Sequence, residues 1–124
     1  LHPLVFYQPG NLFSPDEALA SELLAAGLAR EEPMWRLPLY APYRRLLDSK
    51  VADLASVSDG PHAGAITAAL VLAEFVPPGM AWAHLDILAW NGRARPGRPE
   101  GGEALALRAL FAVIADRFAS RPVA

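Results

Sequence analysis

A chain of 124 residues, 53% hydrophobic and only 19% charged, is one domain or a piece of one and excludes a disordered segment. A net charge of −2 and an isoelectric point near 5.9 leave no basic footprint for a nucleic-acid partner. The lack of cysteine excludes disulfides, a thiol nucleophile and a thiolate metal site, and fits a cytoplasmic protein. No apolar run reaches the roughly 20 residues that a membrane helix needs, so no membrane partner is expected.

Residues 1–13 are apolar and aromatic, carry Pro3, Pro9 and Gly10, and read as an extended leading loop. The opening residues are too short and too poor in basic flanks for a signal peptide. The chain begins on Leu1 rather than Met, which leads us to expect sequence upstream. Ser14, Pro15, Asp16 and Glu17 predict a helix start: serine as cap, proline in the first turn, acids at the positive end of the dipole. Leu19, Leu23, Leu24 and Leu28 then repeat at helical spacing, with Gly27 near the end and Pro33 closing the segment.

Trp35 to Leu39 reads as an apolar connector, and Tyr43 to Leu47 as a short helix with Arg44 and Arg45 on its wet side. Residues 51–54 read as a short strand or a turn. Residues 56–62 form a polar loop with the turn chemistry of Asp59-Gly60-Pro61. Residues 63–76 predict a second helix, rich in small residues and nearly free of charge, which implies burial on several sides. Residues 81–87 predict a strand, residues 91–102 a Gly/Pro-rich loop, and residues 103–118 a last helix. Leu105, Leu107, Leu110, Phe111, Ile114 and Phe118 supply the broad apolar face of that helix.

The expected class is therefore α/β, mostly helical with one or two strands. So few strands cannot form an independent sheet. The strand around His84 needs partners that these residues do not obviously supply. The apolar balance points the same way, toward faces meant to pack on a missing part or on another subunit.

Taken in order, Met34-Trp35-Arg36-Leu37-Pro38-Leu39, Tyr43, Ser49-Lys50-Val51-Ala52-Asp53-Leu54, residues 63–70, Phe75-Val76 and Trp82-Ala83-His84-Leu85-Asp86-Ile87 form a consistent pattern. It resembles the C-terminal end of the leucyl (cytosol) aminopeptidase family, the two-metal M17 aminopeptidases. The resemblance runs from Ser14 onward. It implies that residues 1–124 are the C-terminal part of a three-layer α/β/α catalytic domain whose upstream, metal-binding part is absent. It also implies an activity, the release of N-terminal amino acids from peptides, carried out with two divalent metals (zinc, manganese or magnesium). The family's usual assembly is a cytoplasmic homohexamer.

The family holds its metals with aspartates, a glutamate and a lysine, and uses a second lysine and an arginine in the chemistry. Its signature Asn-Thr-Asp-Ala-Glu-Gly-Arg is not found here, and Lys50 is the sole lysine. The resemblance therefore carries over no catalytic residue and no metal ligand. These 124 residues taken alone are expected to hold no cofactor and to be inactive. One site does carry over. The residues after His-Leu-Asp-Ile help form the pocket for the substrate's N-terminal side chain, which assigns Leu88, Ala89, Trp90 and Asn91 to substrate binding. The usual continuation is Ala-Gly, so bulkier Leu88 and Trp90 are expected to narrow or reshape that pocket.

Other candidates read more plainly as structural. His84 and Asp86 share one strand face and could present two metal ligands. Without a third, they read as hydrogen-bonded residues tying the strand to loops. His62, beside Pro61, lacks an accompanying nucleophile and reads as a loop residue; Asp53 reads as a carboxylate bonding nearby backbone N–H groups. Arg93, Arg95 and Arg98 make a small basic loop offset by Glu100 and Glu103, which favours ion pairs over phosphate. Trp35 and Trp82 read as core or subunit-interface anchors, and Trp90 as the aromatic placed to meet a ligand. Two other functions stay open: a non-catalytic peptide-binding or oligomerisation module, and a small hydrolase using His62, His84 and Asp86.

Overall fold

Gly10, Asn11, Leu12 and Phe13 form β1 (Gly10–Phe13), the middle strand of a three-stranded sheet in the computed structural model, which describes residues 9–55 and 63–119. β2 (Met34–Arg36) lies parallel to it, with Gly10 opposite Met34 and Leu12 opposite Arg36. β3 (His84–Asp86) lies antiparallel on the other side, with Leu12 opposite Leu85 and Phe13 opposite His84.

Three expectations are corrected here. The end of the leading loop is a strand, the apolar connector contains a strand, and the strand near His84 finds its partner inside the chain. Gly10 is needed at this edge because a Cβ there would stand 2.7 Å from Ile87 Cγ2. The glycine that reads as a loop marker in the sequence instead permits close approach of two strands. Two further short strands, described below, bring the observed number above the one or two expected.

α1 (Glu17–Ala29) connects β1 to β2 as the crossover of a parallel βαβ unit. Its cap is Asp16 rather than Ser14: the Asp16 carboxylate accepts from Leu19 N–H at 2.8 Å. Ser14 serves the tertiary fold instead. Its hydroxyl donates to the Trp82 carbonyl at 2.7 Å and accepts from Asp16 N–H at 3.1 Å, tying the start of α1 to the approach to β3. At the first turn, Arg36 of β2 grips the Glu17 carboxylate with both terminal nitrogens at 2.6 Å. That bond holds the Glu17 carboxyl below the usual carboxylate range.

The far end of α1 closes tightly. Gly27 is buried, its carbonyl accepts from Glu32 N–H at 2.8 Å, and a Cβ on it would meet Glu32 O at 2.6 Å. Because that neighbour is backbone and cannot rotate away, Gly27→Ala is expected to cost about 1–3 kcal/mol despite alanine's better helix propensity. The urea midpoint reads it; an unchanged or raised midpoint would show that the turn gives way freely.

The helix expected over 43–47 is a 3₁₀ helix (Ala41–Leu47) that starts two residues earlier, at Ala41-Pro42. Residues 51–54 are bends rather than a strand, held by Ala55 N–H donating to Leu47 O at 2.8 Å. The loop expected over 56–62, with His62, lies outside the described residues. α2 (Gly64–Ala73) packs on the 3₁₀ helix and meets β3. Its last predicted turn loosens into i→i−3 bonds from Glu74, Phe75 and Val76. Thr67, Ala69 and Leu70 are buried, whereas Leu72 and Phe75 face outward, so the described residues cover only part of the surface that its composition implied.

α3 (Leu107–Phe118) begins four residues later than its apolar pattern suggested, because Gly101 and Gly102 are drawn into a strand pair and Ala106 turns with φ 63°. It packs against α1 through Ala109, Ala112 and Val113. The predicted apolar face is rotated: Leu105 is buried and Leu110 half-buried, while Leu107, Phe111, Ile114 and Phe118 are exposed. The core cluster is Leu12, Ala20, Leu23, Met34, Ala106, Ala109 and Val113. Leu12 joins it from the sheet. Phe13, next along β1, points to the opposite face and is equally buried, so the middle strand is covered on both sides. That two-sided burial is the local form of an α/β/α layering.

Candidate functional site

The segment after β3 is built as a small hairpin rather than the open loop expected from its glycines and prolines. Ile87 and Leu88 leave the sheet, Ala89 turns the chain with φ 55°, and β4 (Trp90–Asn91) pairs antiparallel with β5 (Gly101–Gly102). Further out, Arg95 and Arg98 exchange backbone bonds of 2.8 and 2.9 Å.

The four predicted substrate-binding residues are consecutive and take different positions. Leu88 and Trp90 are 62% and 56% exposed, each presenting an apolar surface outward. Ala89 is the turn. Asn91 is buried, and its amide nitrogen donates to the carbonyls of Arg98 at 3.1 Å and Pro99 at 2.7 Å. Trp90 stands opposite Gly102, and a Cβ on that glycine would meet nothing within 4 Å, so the indole has no side chain across from it.

Two of the three arginines of the basic loop are paired with an acid locally, in line with the charge pattern. The Glu103 carboxylate accepts from Arg95 Nη2 at 3.1 Å and from Arg98 Nη1, and its own N–H donates to Ala89 O at 3.0 Å. Arg93 is exposed. His84 stacks on Phe13 with ring centroids 5.7 Å apart and planes at 24°. Leu85 between His84 and Asp86 packs toward the core, which turns the other two to the opposite face. Among the described residues no group of three His, Asp or Glu side chains converges that could hold a metal ion. The described donors therefore do not fit a dimetal centre. Two shallow grooves lie elsewhere, one between α1 and α3 beside Ala112 and Arg117, the other beside Arg36 and Leu37; neither touches Leu88 to Asn91.

Trp35, expected as an anchor, is exposed on β2, and Trp82 is half-buried. Sequence reasoning missed the work of Ser14, Glu32 and the Glu103 carboxylate as a hub. Glu103 alone carried a readable signal, as an acid beside a basic loop.

The profile of the cytosol aminopeptidase family, catalytic domain, matches residues 7–111. A probable cytosol aminopeptidase of Caulobacter vibrioides is 44% identical over 111 residues, covering 87% of this chain and 22% of that protein. Among solved structures, a cytosol aminopeptidase from Coxiella burnetii superposes with a TM-score of 0.82 at 50% identity, over 88% of this chain and 24% of its own. The bottromycin maturation enzyme BotP, in complex with Mn, superposes with a TM-score of 0.83 at 41% identity, over 94% of this chain and 26% of its own. The chain thus spans about a fifth to a quarter of the relatives it matches. No helix in its described residues is long and apolar enough to cross a membrane. With the profile running through the sheet, α2 and the hairpin into α3, this chain belongs to the cytosol aminopeptidase family, as part of its catalytic domain.

Proposed function

We propose that this chain is the C-terminal portion of a metal-dependent, leucyl-type aminopeptidase that releases N-terminal amino acids from peptides, and that its share of the work is substrate selection. The observation that carries this reading is the exposed pair Leu88 and Trp90, held on a hairpin directly after the sheet. They offer an apolar rim of the kind that receives an aliphatic or aromatic side chain. Ala89 sets the bend between them, and Asn91 holds the base of the hairpin from inside.

Metal binding and bond cleavage would then be the work of residues outside this chain, whose sequence lacks the family's Asn-Thr-Asp-Ala-Glu-Gly-Arg signature. The 124 residues by themselves are expected to turn over no peptide. The whole polypeptide would act in the cytoplasm as a homo-oligomer, a hexamer by analogy with the family.

The test uses the whole polypeptide, assayed on peptides that differ in their first residue. Activity should require manganese or zinc and vanish with chelator. Leu88→Ala and Trp90→Ala should each shift the relative kcat/KM for leucine- against alanine-ended substrates by about 10–100-fold, the range that apolar pocket contacts supply. Activity that survives chelation, or preferences unmoved by both substitutions, would remove the proposal.

A second reading has its own observation. Leu107, Phe111, Ile114 and Phe118 form an exposed apolar stripe on α3, at spacings that place them on one side of the helix. A non-catalytic oligomerisation module would use such a stripe. It is the reading to adopt if the protein as made in the cell has the mass of this chain and no peptidase activity.

A further inference from the structure

We propose that Glu103 is a positioning residue for substrate selection, locking the hairpin so that Leu88 and Trp90 present a fixed rim. This rests on the substrate-pocket reading above.

The strand pairing alone is short. β4 and β5 are two residues each, far below the size at which a strand pair is stable alone. Between them lie residues 92–100, with Gly92, Gly97, Pro96 and Pro99, and Gly97 takes φ 71°. A segment of this kind samples many conformations unless it is tied down.

Glu103 ties both of its ends. The backbone N–H of Glu103 bonds Ala89 O, the residue between Leu88 and Trp90. The carboxylate reaches the tip, taking Arg95 Nη2 at one oxygen and Arg98 Nη1 at the other. Its side chain is only 11% exposed, so these charge-assisted bonds are shielded from water more than an open surface pair. Arg95 and Arg98 are also the two residues whose backbones bridge, and Arg98 O receives the Asn91 amide. The carboxylate, the bridge and the Asn91 amide therefore close one continuous circuit, with Trp90 on its outer side. Without the carboxylate, the two guanidinium groups lose the acceptor they share and the tip is held less firmly.

Glutamine in place of Glu103 keeps the shape and the backbone bond to Ala89, removes the charge and turns one of the two acceptor oxygens into an NH2 donor. In the whole polypeptide, Glu103→Gln should speed amide hydrogen exchange at Asn91, Arg95 and Arg98 by at least about 10-fold, while amides of α1 keep their rates. It should also narrow the kcat/KM preference between leucine- and alanine-ended peptides by about 5–10-fold, with KM rising more than kcat falls. Arg98→Lys, which keeps the charge but loses the planar fork, should move both readouts in the same direction and guards against a folding failure of the first variant.

Unchanged exchange in the hairpin overturns the positioning role. So does faster exchange accompanied by equal losses on every substrate, which is the mark of a merely structural residue. If the unaltered polypeptide cleaves no peptide, the pocket reading fails by itself, and the exchange data still decide whether Glu103 locks the hairpin.

Discussion

Glu32→Ala is expected to destabilise the protein by about 2–4 kcal/mol, the cost of leaving two helix-start N–H groups without their acceptor. Glu32 sits in the turn after α1, 2% exposed, yet its carboxylate works at the start of α3. One oxygen accepts from the backbone N–H groups of Arg108 at 2.9 Å and Ala109 at 3.0 Å; the other accepts from Arg108 Nε at 2.9 Å. The residue at the cap position of α3 is Ala106, which has no side-chain acceptor to offer. The cap is therefore supplied from a different part of the chain.

Removing it orphans two N–H groups, one of them buried, at the positive end of a helix dipole. Most of the effect resides in those backbone bonds, because Arg108 is 51% exposed and its ion pair is screened by water. Glu32→Gln keeps one acceptor oxygen and should cost less, about 1–2 kcal/mol. Urea denaturation of both variants measures the difference. A loss below about 1 kcal/mol for the alanine variant would show that water replaces the carboxylate at no great cost.

Phe13→Ala is the second large loss expected, about 3–5 kcal/mol for truncating a fully buried aromatic ring. Phe13 is opposite His84 in the β1–β3 register, and the two rings stack. The substitution thus opens a cavity on the face of the sheet away from α1 and α3, and also loosens β3, the strand that leads into the hairpin bearing Leu88 and Trp90. Phe13→Leu fills most of the space and should cost less than about 1.5 kcal/mol. The alanine variant is also expected to blur the choice between leucine- and alanine-ended substrates at temperatures where the protein is still folded. A stability loss under about 1 kcal/mol would mean that neighbouring side chains collapse into the space.

The helices were largely legible in the sequence and the sheet was not, for a physical reason. Leu19, Leu23 and Leu24 have enough turns around them to show a period, and Ser14 to Glu17 carry start signals that only misplace the cap by two residues. Strands of two to four residues have no room to display alternation, so Gly10–Phe13 and Met34–Arg36 passed for a loop and a connector. The family resemblance was legible because it rests on the order of many short strings rather than on any one element, and the profile match runs over the same region. The resemblance is what singles out Leu88 to Asn91 as a candidate site, while the inward turn of Asn91 needed coordinates. Glu32 was beyond reach: its helix partners are 76 and 77 residues away, and nothing near it in sequence marks a buried acid. The rotated face of α3 was missed for a related reason, since both of its sides are apolar and packing alone chose Ala109, Ala112 and Val113 for the inside.

The parallel unit β1–α1–β2 has a consequence for the order of events during folding. Its parts lie within residues 10–36, so its closing contacts link positions that are near in the chain and cost little loop entropy. The antiparallel partner β3 joins Leu12 to Leu85, across more than half of these 124 residues, and α3 lies further still along the chain. A sheet built only from β1 and β2 would leave one edge of β1 unpaired until residues 84–86 join it. That edge is a place where a chaperone would bind, or where a second unfinished chain would add a wrong strand.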